Sequence, residues 1–317
     1  MVLTPQEEKA PSEHPRAEIV YLKFWLGPFR LAQAPIAAHI VACVPPHVGP
    51  KLLELPDASE APLFVCSLPL SDTERSITIS SGVIRYIEKS FVHCSTDLTA
   101  TMEEYWGTFS GKTRSTLKRK LRKFEAASGG AIDVRSYRSR EEVREFLSIA
   151  QLVSAKTYQE RLFQAGLPVS EEFQAKTLSL AEEGHLRAFI LFFQGTPIAY
   201  LLCPVEEGRV VYQYLGFDPA FAEHSPGTIL QLEAFKALFP DPVCQIFDFT
   251  EGDGAHKRLF ATHTALCGNV YYFPRKLKYI ILVAGHRTLL AADRLINSCL
   301  EKLKLKQRLR ALLRRQV

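Results

Sequence analysis

The stretch from Val210 to Phe260 constrains the fold of this 317-residue chain more than any other. Its first residues, 210–215, are β-branched and aromatic as in a strand, and a proline-containing loop follows. A helix is predicted to start at Ser225, because serine is a good N-cap and Pro226 is a good first helical residue. Residues 243–249 predict a second strand. The order is therefore strand, loop, helix, strand, loop and short helix.

The start of this helix has the features of an anion site. The first N–H groups of a helix have no partner within it, and a glycine at position 227 permits close backbone approach. Ser225, Pro226, Gly227 and Thr228 are therefore candidate contacts for a phosphate-bearing ligand. The alternative interpretation is that Ser-Pro-Gly simply starts a helix, since such caps are common.

Polar side chains gather around the second strand. Asp248 is predicted at the end of this strand, and His256 and Lys257 follow on a short helix beyond a glycine-bearing loop. A carboxylate, an imidazole and an ammonium group are thus expected to converge at one sheet edge. Tyr212 and Tyr214 are predicted on one face of the preceding strand, where they either line a channel or serve as core aromatics.

These residues resemble a known family. The loop Phe-Asp-Pro-x(6)-Pro-Gly, its helix, and the later Phe-Asp-Phe-x-x-Gly-x(4)-Lys resemble the acetyltransferase domain of the GNAT superfamily, in the branch of CelD-like proteins of cellulose and exopolysaccharide biosynthesis. That branch is similar to the Fem-type aminoacyl transferases of peptidoglycan synthesis. The resemblance covers residues 96–275. It implies an α/β (α+β) fold with a mixed, mostly antiparallel sheet flanked by helices.

The resemblance also implies an activity. It implies transfer of an acetyl or similar acyl group from an acyl-CoA co-substrate, without a metal, to an amine or hydroxyl acceptor on a sugar or polysaccharide precursor. The donor pyrophosphate is placed at 225–228, Asp248 becomes the base or acceptor-orienting carboxylate, and Lys257 donates to a phosphate or to the developing oxyanion. His256 stands where the family more often has tyrosine, so its role as an acid, as a packing residue or as neither stays open.

The sequence departs from the family at the phosphate loop. The usual Gln/Arg-x-x-Gly-x-Gly/Ala signature is absent, and only Gly227 and the helix start remain. An acyl-carrier-protein or aminoacyl-tRNA donor therefore stays open beside CoA. The alternative to an enzyme is a catalytically idle module that serves as a binding or scaffold component of a polysaccharide-synthesis machine.

A first basic region lies at residues 112–123, within one long helix predicted over 101–127. A solvated face is the commoner explanation of such a run. The segment Ser110-Gly111-Lys112-x-Arg114-x(4)-Arg119 resembles the family's entry motif to the transferase domain. That resemblance implies that Arg114 or Arg119 reaches a phosphate of the donor.

A second basic region ends the chain. Residues 275–317 contain twelve Lys or Arg against Asp293 and Glu301, a local balance of +10 within a formal net charge of +5. The region predicts a basic amphipathic helix whose apolar face contains Leu289, Ala292, Ile296, Cys299, Leu300 and Leu303. We expect its first half to pack on the transferase domain. Its stretch 289–317 either contacts an anionic membrane peripherally or is solvated, and nucleic acid is not expected as a partner.

Four regions are predicted: a mobile N-terminus over 1–18, a small β-rich module over 19–96 that is either independent or a degenerate acyltransferase half, an acyltransferase domain over 97–275, and a tail over 276–317. The strands are expected at 19–25, 36–44, 63–70, 77–86, 132–137, 186–193, 197–204, 209–215, 243–249 and 265–273, with further helices at 140–158 and 171–183.

Several classes of chemistry lack their spacing. The chain has no Cys-x-x-Cys pair, His-Glu-x-x-His, Gly-x-Ser-x-Gly or Walker loop. It also has no apolar run of signal-peptide or membrane-span length, so we expect a cytoplasmic protein, in part peripheral at the inner membrane face.

Overall fold

The structure is a computed structural model that describes residues 17–27, 29–42, 58–157, 166–252 and 254–302. Most of the predicted mobile N-terminus and the predicted tail beyond Lys302 lie outside the described residues. The strands are β1 Glu18–Leu26, β2 Phe29–Ala42, β3 Leu63–Pro69, β4 Ile77–Ser80, β5 Val83–Asp97, β6 Asp133–Tyr137, β7 Leu186–Phe193, β8 Thr196–Glu206, β9 Arg209–Val211, β10 Tyr214–Phe217, β11 Ile246–Glu251 and β12 His263–Pro274.

The α-helices of the described residues are α1 Met102–Thr108, α2 Gly111–Ala127, α3 Arg140–Ser154, α4 Glu171–Glu182, α5 Pro226–Leu238, α6 Ala255–Phe260 and α7 Leu277–Lys302. A short 3-10 helix, Pro219–His224, directly precedes α5.

The chain divides into two compact units. The first unit comprises residues 1–90 and 266–317, and the second unit comprises residues 91–265. This division differs from the predicted domain boundaries at both ends of the acyltransferase domain. The predicted tail is also grouped with the N-terminal residues rather than standing alone.

Within the first unit, β1 pairs antiparallel with β2, β2 runs parallel to β3, and β3 pairs antiparallel with β12. Helix α7 packs on β1, where Asp293 Oδ1 accepts a hydrogen bond of 2.6 Å from Gly27 N–H and His286 Nε2 lies 3.2 Å from Lys23 O. The ring of Tyr279 on α7 also stacks on that of Phe273, at the end of the predicted acyltransferase domain, with centres 4.8 Å apart.

Helix α7 has two distinct faces. Val283 and His286 are buried, and Leu289 and Ala292 of the predicted apolar face are half-buried. The opposite side is also apolar and is exposed, with Leu277, Ile280, Ile281 and Leu295 at 71%, 41%, 63% and 67% exposure. Ile296 is 45% exposed, and the side chains of Cys299, Leu300 and Leu303 lie outside the described residues.

The sheet of the second unit has the strand order β5-β11-β9-β8-β7-β6, and β10 also pairs with β8. Its pairs are antiparallel except for β9 and β11, which run parallel. The turns Gln194-Gly195 and Glu207-Gly208 have positive φ at both residues, which suits tight hairpins between right-twisted strands. The predicted mixed, mostly antiparallel sheet with flanking helices is confirmed.

Helices cover both faces of this sheet. Alternate residues of β7 point to opposite sides: Phe189 and Leu191 pack in one apolar cluster with α1, α2, α5 and α6, whereas Ala188 and Ile190 pack in a second cluster with α3 and α4. Because both faces are buried, the central strands form nearly continuous apolar runs, which made them recognisable from the sequence.

The long helix predicted over 101–127 is two helices. Thr101 caps the first of them, in a capping box with Glu104. The break falls at Phe109, and the Ser110 side chain then accepts the Thr113 N–H at 3.2 Å and starts α2. A second N-cap within an apparently continuous helical pattern therefore ends one helix and begins another.

Two predicted strands are also divided. The strand expected over 77–86 is a hairpin of β4 and β5 that turns at Ser81-Gly82, both with positive φ. The strand expected over 209–215 breaks between β9 and β10 at Tyr212 and Gln213. The second break shapes the candidate site.

Candidate functional site

Strands β10 and β11 diverge in the middle of the second unit. The parallel pairing of β9 with β11 ends where Val211 faces Asp248, with a last hydrogen bond of 2.8 Å from Tyr212 N–H to Asp248 O. From there β10 continues on β8, while β11 continues on β5. No backbone pairing joins β10 to β11 in the part of the chain that the structure describes. Their facing edges can therefore accept an extended ligand that carries amide groups.

The N-terminus of α5 faces β10 beside this divergence. A Cβ added at Gly227 would lie 3.6 Å from Leu215 Cδ2 and 3.9 Å from Phe217 Cδ1, which is ordinary contact. A Cβ at Gly216 would lie 2.5 Å from Tyr200 Cε1, so this strand position requires glycine. Packing therefore requires glycine at 216, whereas position 227 would accept a Cβ at ordinary contact distance.

The turn at residues 225–228 differs from the predicted cap in one respect. Ser225 is the N-cap of α5, but its side chain makes no capping hydrogen bond and its backbone is left-handed, with φ 55° and ψ 48°. Thr228 N–H donates to Ser225 O at 3.0 Å. Pro226 has no N–H, and Gly227 N–H has no hydrogen-bond partner among the described residues. One backbone donor at a helix N-terminus is therefore available to an anion.

Gln231 is a functional candidate that the sequence analysis missed. It lies on α5 one turn after Gly227, it is fully buried, and neither atom of its amide has a hydrogen-bond partner among the described residues. Helical side chains lean toward the N-terminus, so this amide is directed toward the 225–228 turn. A buried amide without partners is costly unless a ligand or water satisfies it. Its position among apolar neighbours was the only signal in the sequence.

Asp248 is buried in the interior of β11 rather than at its end. One carboxylate oxygen accepts hydrogen bonds from His93 Nε2 at 2.6 Å and Thr250 N–H at 2.7 Å, and the other accepts from Arg209 at 3.1 Å. Burial alone would raise the pKa of Asp248. The hydrogen bonds from His93 and Thr250 and the nearby Arg209 charge outweigh burial, so the pKa lies below its ordinary value.

These contacts favour a positioning role for Asp248 over the role of a general base. A carboxylate whose two oxygens already accept hydrogen bonds from His93, Thr250 and Arg209 has little capacity left to take a proton from a substrate. The residue that completes the cluster, His93, was not identified from the sequence because it lies 155 positions away. Thr250, which follows the cluster, has the unusual φ of 59° for a β-branched residue.

Lys257 holds the end of β11. Its Nζ lies 2.5 Å from Phe249 O and 2.7 Å from Glu251 O. It also lies 5.9 Å from the centre of the Tyr212 ring. Asp248 and Lys257 thus have different partners, and no contact between them brings them onto one reacting centre.

His256 is the member of the predicted cluster that retains an unsatisfied polar atom. Its Nε2 is buried and has no hydrogen-bond partner among the residues that the structure describes. Its ring centre lies 6.4 Å from that of Tyr212 and 5.0 Å from that of Phe260. Burial, and then the charges of Lys120 and Lys257, lower the pKa of His256 to about 4. The side chain is therefore a neutral imidazole at pH 7.

The two predicted channel tyrosines do not share a face. Tyr212 packs against the cluster that contains Phe247 and Phe249, whereas Tyr214 packs on the other side of the sheet, with its ring centre 5.6 Å from that of Phe173. The break at Gln213 removes the two-residue alternation on which the prediction relied. Only Tyr212 lies beside His256, and burial raises the pKa of its hydroxyl.

The two predicted phosphate-binding arginines are also separated. Arg114 lines a groove between α1 and α2 of about 690 Å³, here called the α1–α2 groove, whose lining residues are Glu103, Trp106, Gly107, Arg114 and Lys118. Arg119 is exposed five residues later, about 140° around the helix from Arg114. The structure therefore brings Arg114 together with Trp106 and Lys118, and not with Arg119 or with the 225–228 turn.

The described residues contain neither a metal-binding cluster nor a membrane-spanning helix. Within the described ranges, no group of three or more His, Cys, Asp or Glu side chains is arranged to hold a metal ion. No helix in the same ranges is long and apolar enough to cross a membrane.

Comparisons with known proteins agree with this architecture. Residues 111–258, within the second unit, match the family model described as Acetyltransferase (GNAT) domain, and the predicted fold class is confirmed. A search of curated protein sequences gave no match.

Solved structures similar to the chain include three of low identity. The first is the C-terminal domain of a putative lysylphosphatidylglycerol synthetase from Agrobacterium fabrum, with 14% identity, 73% of this chain and 72% of that chain covered, and a TM-score of 0.48. The second is L-PGS from Bacillus licheniformis, with 14% identity, coverages of 72% and 73%, and a TM-score of 0.46. The third is FemX, with 12% identity, coverages of 61% and 64%, and a TM-score of 0.44.

Proposed function

We propose that this protein is an acyltransferase that moves an acetyl or similar acyl group from an acyl-CoA to an amine or hydroxyl acceptor. The observation that carries the proposal is the divergence of β10 and β11 beside the N-terminus of α5, within the stretch that matches the GNAT domain. A pantetheine arm is extended and carries amide groups, so it suits the unpaired strand edges. A pyrophosphate suits the helix N-terminus.

Each part of the donor has a proposed contact. The Gly227 N–H and the positive end of the α5 dipole attract the pyrophosphate, and the buried amide of Gln231 satisfies its hydrogen bonds on the donor. The thioester then lies at the level of Tyr212, where β9 and β11 separate. In this proposal the acyl carbon lies beside His256.

The chemistry follows from the two groups at that level. The acceptor amine or hydroxyl attacks the acyl carbon, and the carbon–sulfur bond breaks as the tetrahedral intermediate collapses. The neutral imidazole of His256 accepts the proton of the acceptor, and the hydroxyl of Tyr212 protonates the departing thiolate. Asp248 and Lys257 position the strand end from which these groups project.

The acceptor is proposed to be a sugar or polysaccharide precursor of the cell envelope or of an exopolysaccharide, as the CelD-like resemblance implies. An aminoacyl-tRNA donor and a catalytically idle scaffold module remain the alternatives. The unpaired Gly227 N–H and the unsatisfied Gln231 and His256 favour a ligand-binding site over an idle module, because an idle site gains nothing from buried polar groups without partners.

A thermal-shift titration tests donor binding. Acetyl-CoA at one hundred times its dissociation constant should stabilise the protein by about 2.7 kcal/mol. Gly227→Val should remove most of this shift, because a β-branched side chain hinders close approach to the backbone N–H, while its Cβ makes only ordinary contact with Leu215 and Phe217.

The matched control is Gly111→Val, which changes the first residue of α2 and also meets open space. If neither CoA nor acetyl-CoA stabilises the parent protein, the acyl-CoA proposal is wrong. If both variants bind acetyl-CoA equally, the donor lies elsewhere than the 225–228 turn.

We also propose that the chain contacts anionic membranes through α7 and the basic residues that follow it. The exposed apolar side of α7 carries Leu277, Ile281 and Leu295, and the sequence from 275 to 317 has a local charge of +10. Apolar insertion and attraction to anionic lipid together give reversible peripheral binding. A lipid-linked sugar would be accessible from that position.

A further inference from the structure

The α1–α2 groove has a composition that the donor site does not use. Trp106 is partly buried in its wall, Arg114 and Lys118 lie one helical turn apart, and Glu103 lies opposite on α1. A Cβ added at Gly107 would meet no atom within 4 Å, so this wall is open. The volume of about 690 Å³ is within the range of small-molecule sites.

The two cations of the groove form no ion pair among the described residues. Neither Arg114 nor Lys118 makes a hydrogen bond or an ion pair with any described residue, although Glu103 lines the same groove. Like charges at positions i and i+4 destabilise a helix by a few tenths of a kcal/mol. A bound anion would remove this repulsion, and arginine in particular offers a fork that matches phosphate oxygens.

The groove is separate from the 225–228 turn. The ring of Phe124, near the other end of α2, lies 6.4 Å from that of His224, the residue before Ser225. Arg114 precedes Phe124 by ten residues, which is about 15 Å along a helix. One phosphate cannot occupy both places.

We infer that the α1–α2 groove binds a nucleoside phosphate. Trp106 supplies a flat apolar surface on which a base stacks, Arg114 and Lys118 bind the phosphates, and Glu103 accepts hydrogen bonds from the sugar or base. The role of this ligand, as the nucleotide part of an activated acceptor, rests on the proposed function. The binding itself rests on the groove alone.

The chain provides a direct reporter, because it contains two tryptophans and one of them is in the groove. In a Trp25→Phe background, the fluorescence excited at 295 nm comes from Trp106. This protein should be titrated with UDP, ADP, uridine, inorganic pyrophosphate and CoA. The dissociation constant obtained from quenching should be at least tenfold lower for a nucleoside diphosphate than for uridine or pyrophosphate, since uridine and pyrophosphate each offer only half of the contacts.

Three variants locate the binding. Gly107→Leu fills the groove without backbone strain and replaces glycine by a better helix former, and the double variant Arg114→Gln with Lys118→Gln removes the charges. Both should raise the dissociation constant for the nucleoside diphosphate at least tenfold. Arg119→Gln removes one charge from another side of α2 and should change it less than twofold.

The outcomes separate the sources and the two proposals. Equal affinity for pyrophosphate and UDP, or loss of UDP binding in Arg119→Gln alone, overturns the inference. Quenching by CoA that is lost in Gly107→Leu but kept in Gly227→Val assigns the groove to the nucleotide of the donor. If acetyl-CoA stabilises Gly107→Leu normally while no nucleotide quenches Trp106, the inference fails and the proposed function stands.

Discussion

Replacing His256 by glutamine should remove a specific pH dependence of stability. The ordinary imidazole pKa near 6.5 is lowered to about 4 in the folded chain, so the unfolded state binds a proton first as the pH falls. The stability that His256 contributes is fully present above pH 6.5 and is lost progressively as the pH falls toward 4. The two pKa values predict a loss of about 2 kcal/mol between pH 7 and pH 5.

The assay follows the unit that contains His256. In a Trp25→Phe background, urea denaturation monitored through Trp106 reports on the second unit, to which both Trp106 and His256 belong. The free energy of unfolding should be measured at pH 7 and pH 5 with and without His256→Gln. Other titrating groups are common to both proteins, so the difference between the two pH effects isolates His256.

The parent should lose about 2 kcal/mol more than the variant across this interval. If the two proteins lose stability in parallel, the pKa of His256 is not lowered in the folded state, and the effect assigned to its burial is wrong.

Three further results are expected. Gly216→Ala should destabilise the second unit by about 1–3 kcal/mol in urea denaturation, because its methyl would lie 2.5 Å from a tyrosine ring, and a neutral effect would show that the strand relaxes. Asp248→Asn should lower the free energy of unfolding by about 3 kcal/mol, because His93 and Arg209 then lose their charged partner. Glu206→Gln, at an exposed pair, should lower it by less than about 1 kcal/mol, and equal losses would contradict the buried cluster. Ile281→Glu should reduce the fraction of protein that sediments with anionic vesicles, and high salt should release the parent protein from them. Ile79→Glu, on an exposed strand, should leave this fraction unchanged; equal sedimentation of the parent and both variants would exclude α7 as the contact.

Elements fixed by local rules were predictable from the sequence. The hairpins at Gln194-Gly195 and Glu207-Gly208 need positive φ, which glycine supplies, and the strands they join are apolar on both faces. Pro226 at the first position of α5 follows from the same kind of rule. These features depend on neighbours within a few residues.

The breaks were not predictable because they depend on distant partners. Residues 209–215 have the composition of one strand, and they divide only because β11 pairs with the first half while β8 holds the second. Composition within a window contains no information about such competition. The break within 101–127 is the exception, because the Ser110 N-cap that makes it is a local signal.

The candidate site was predictable in its parts and not in its connections. The family motif identified Asp248, His256 and Lys257. It did not indicate that Lys257 donates to backbone carbonyls or that His93 donates a hydrogen bond to Asp248. Roles assigned by residue type assume that a side chain is free, and only the fold decides which partners it has. Gln231 shows the converse, since burial without a partner is visible only in three dimensions.

The left-handed backbone of Ser225 and Thr250 has a consequence for anyone who engineers this chain. Each conformation is one that glycine adopts freely and that a serine or a β-branched threonine adopts at a cost of about 1–2 kcal/mol. Glycine at either position should therefore raise the melting temperature, and both positions adjoin the proposed donor site. Selection for thermostability should therefore favour glycine at positions 225 and 250. We expect these glycine variants to hold the turn and the strand end less rigidly, and therefore to bind the donor less tightly.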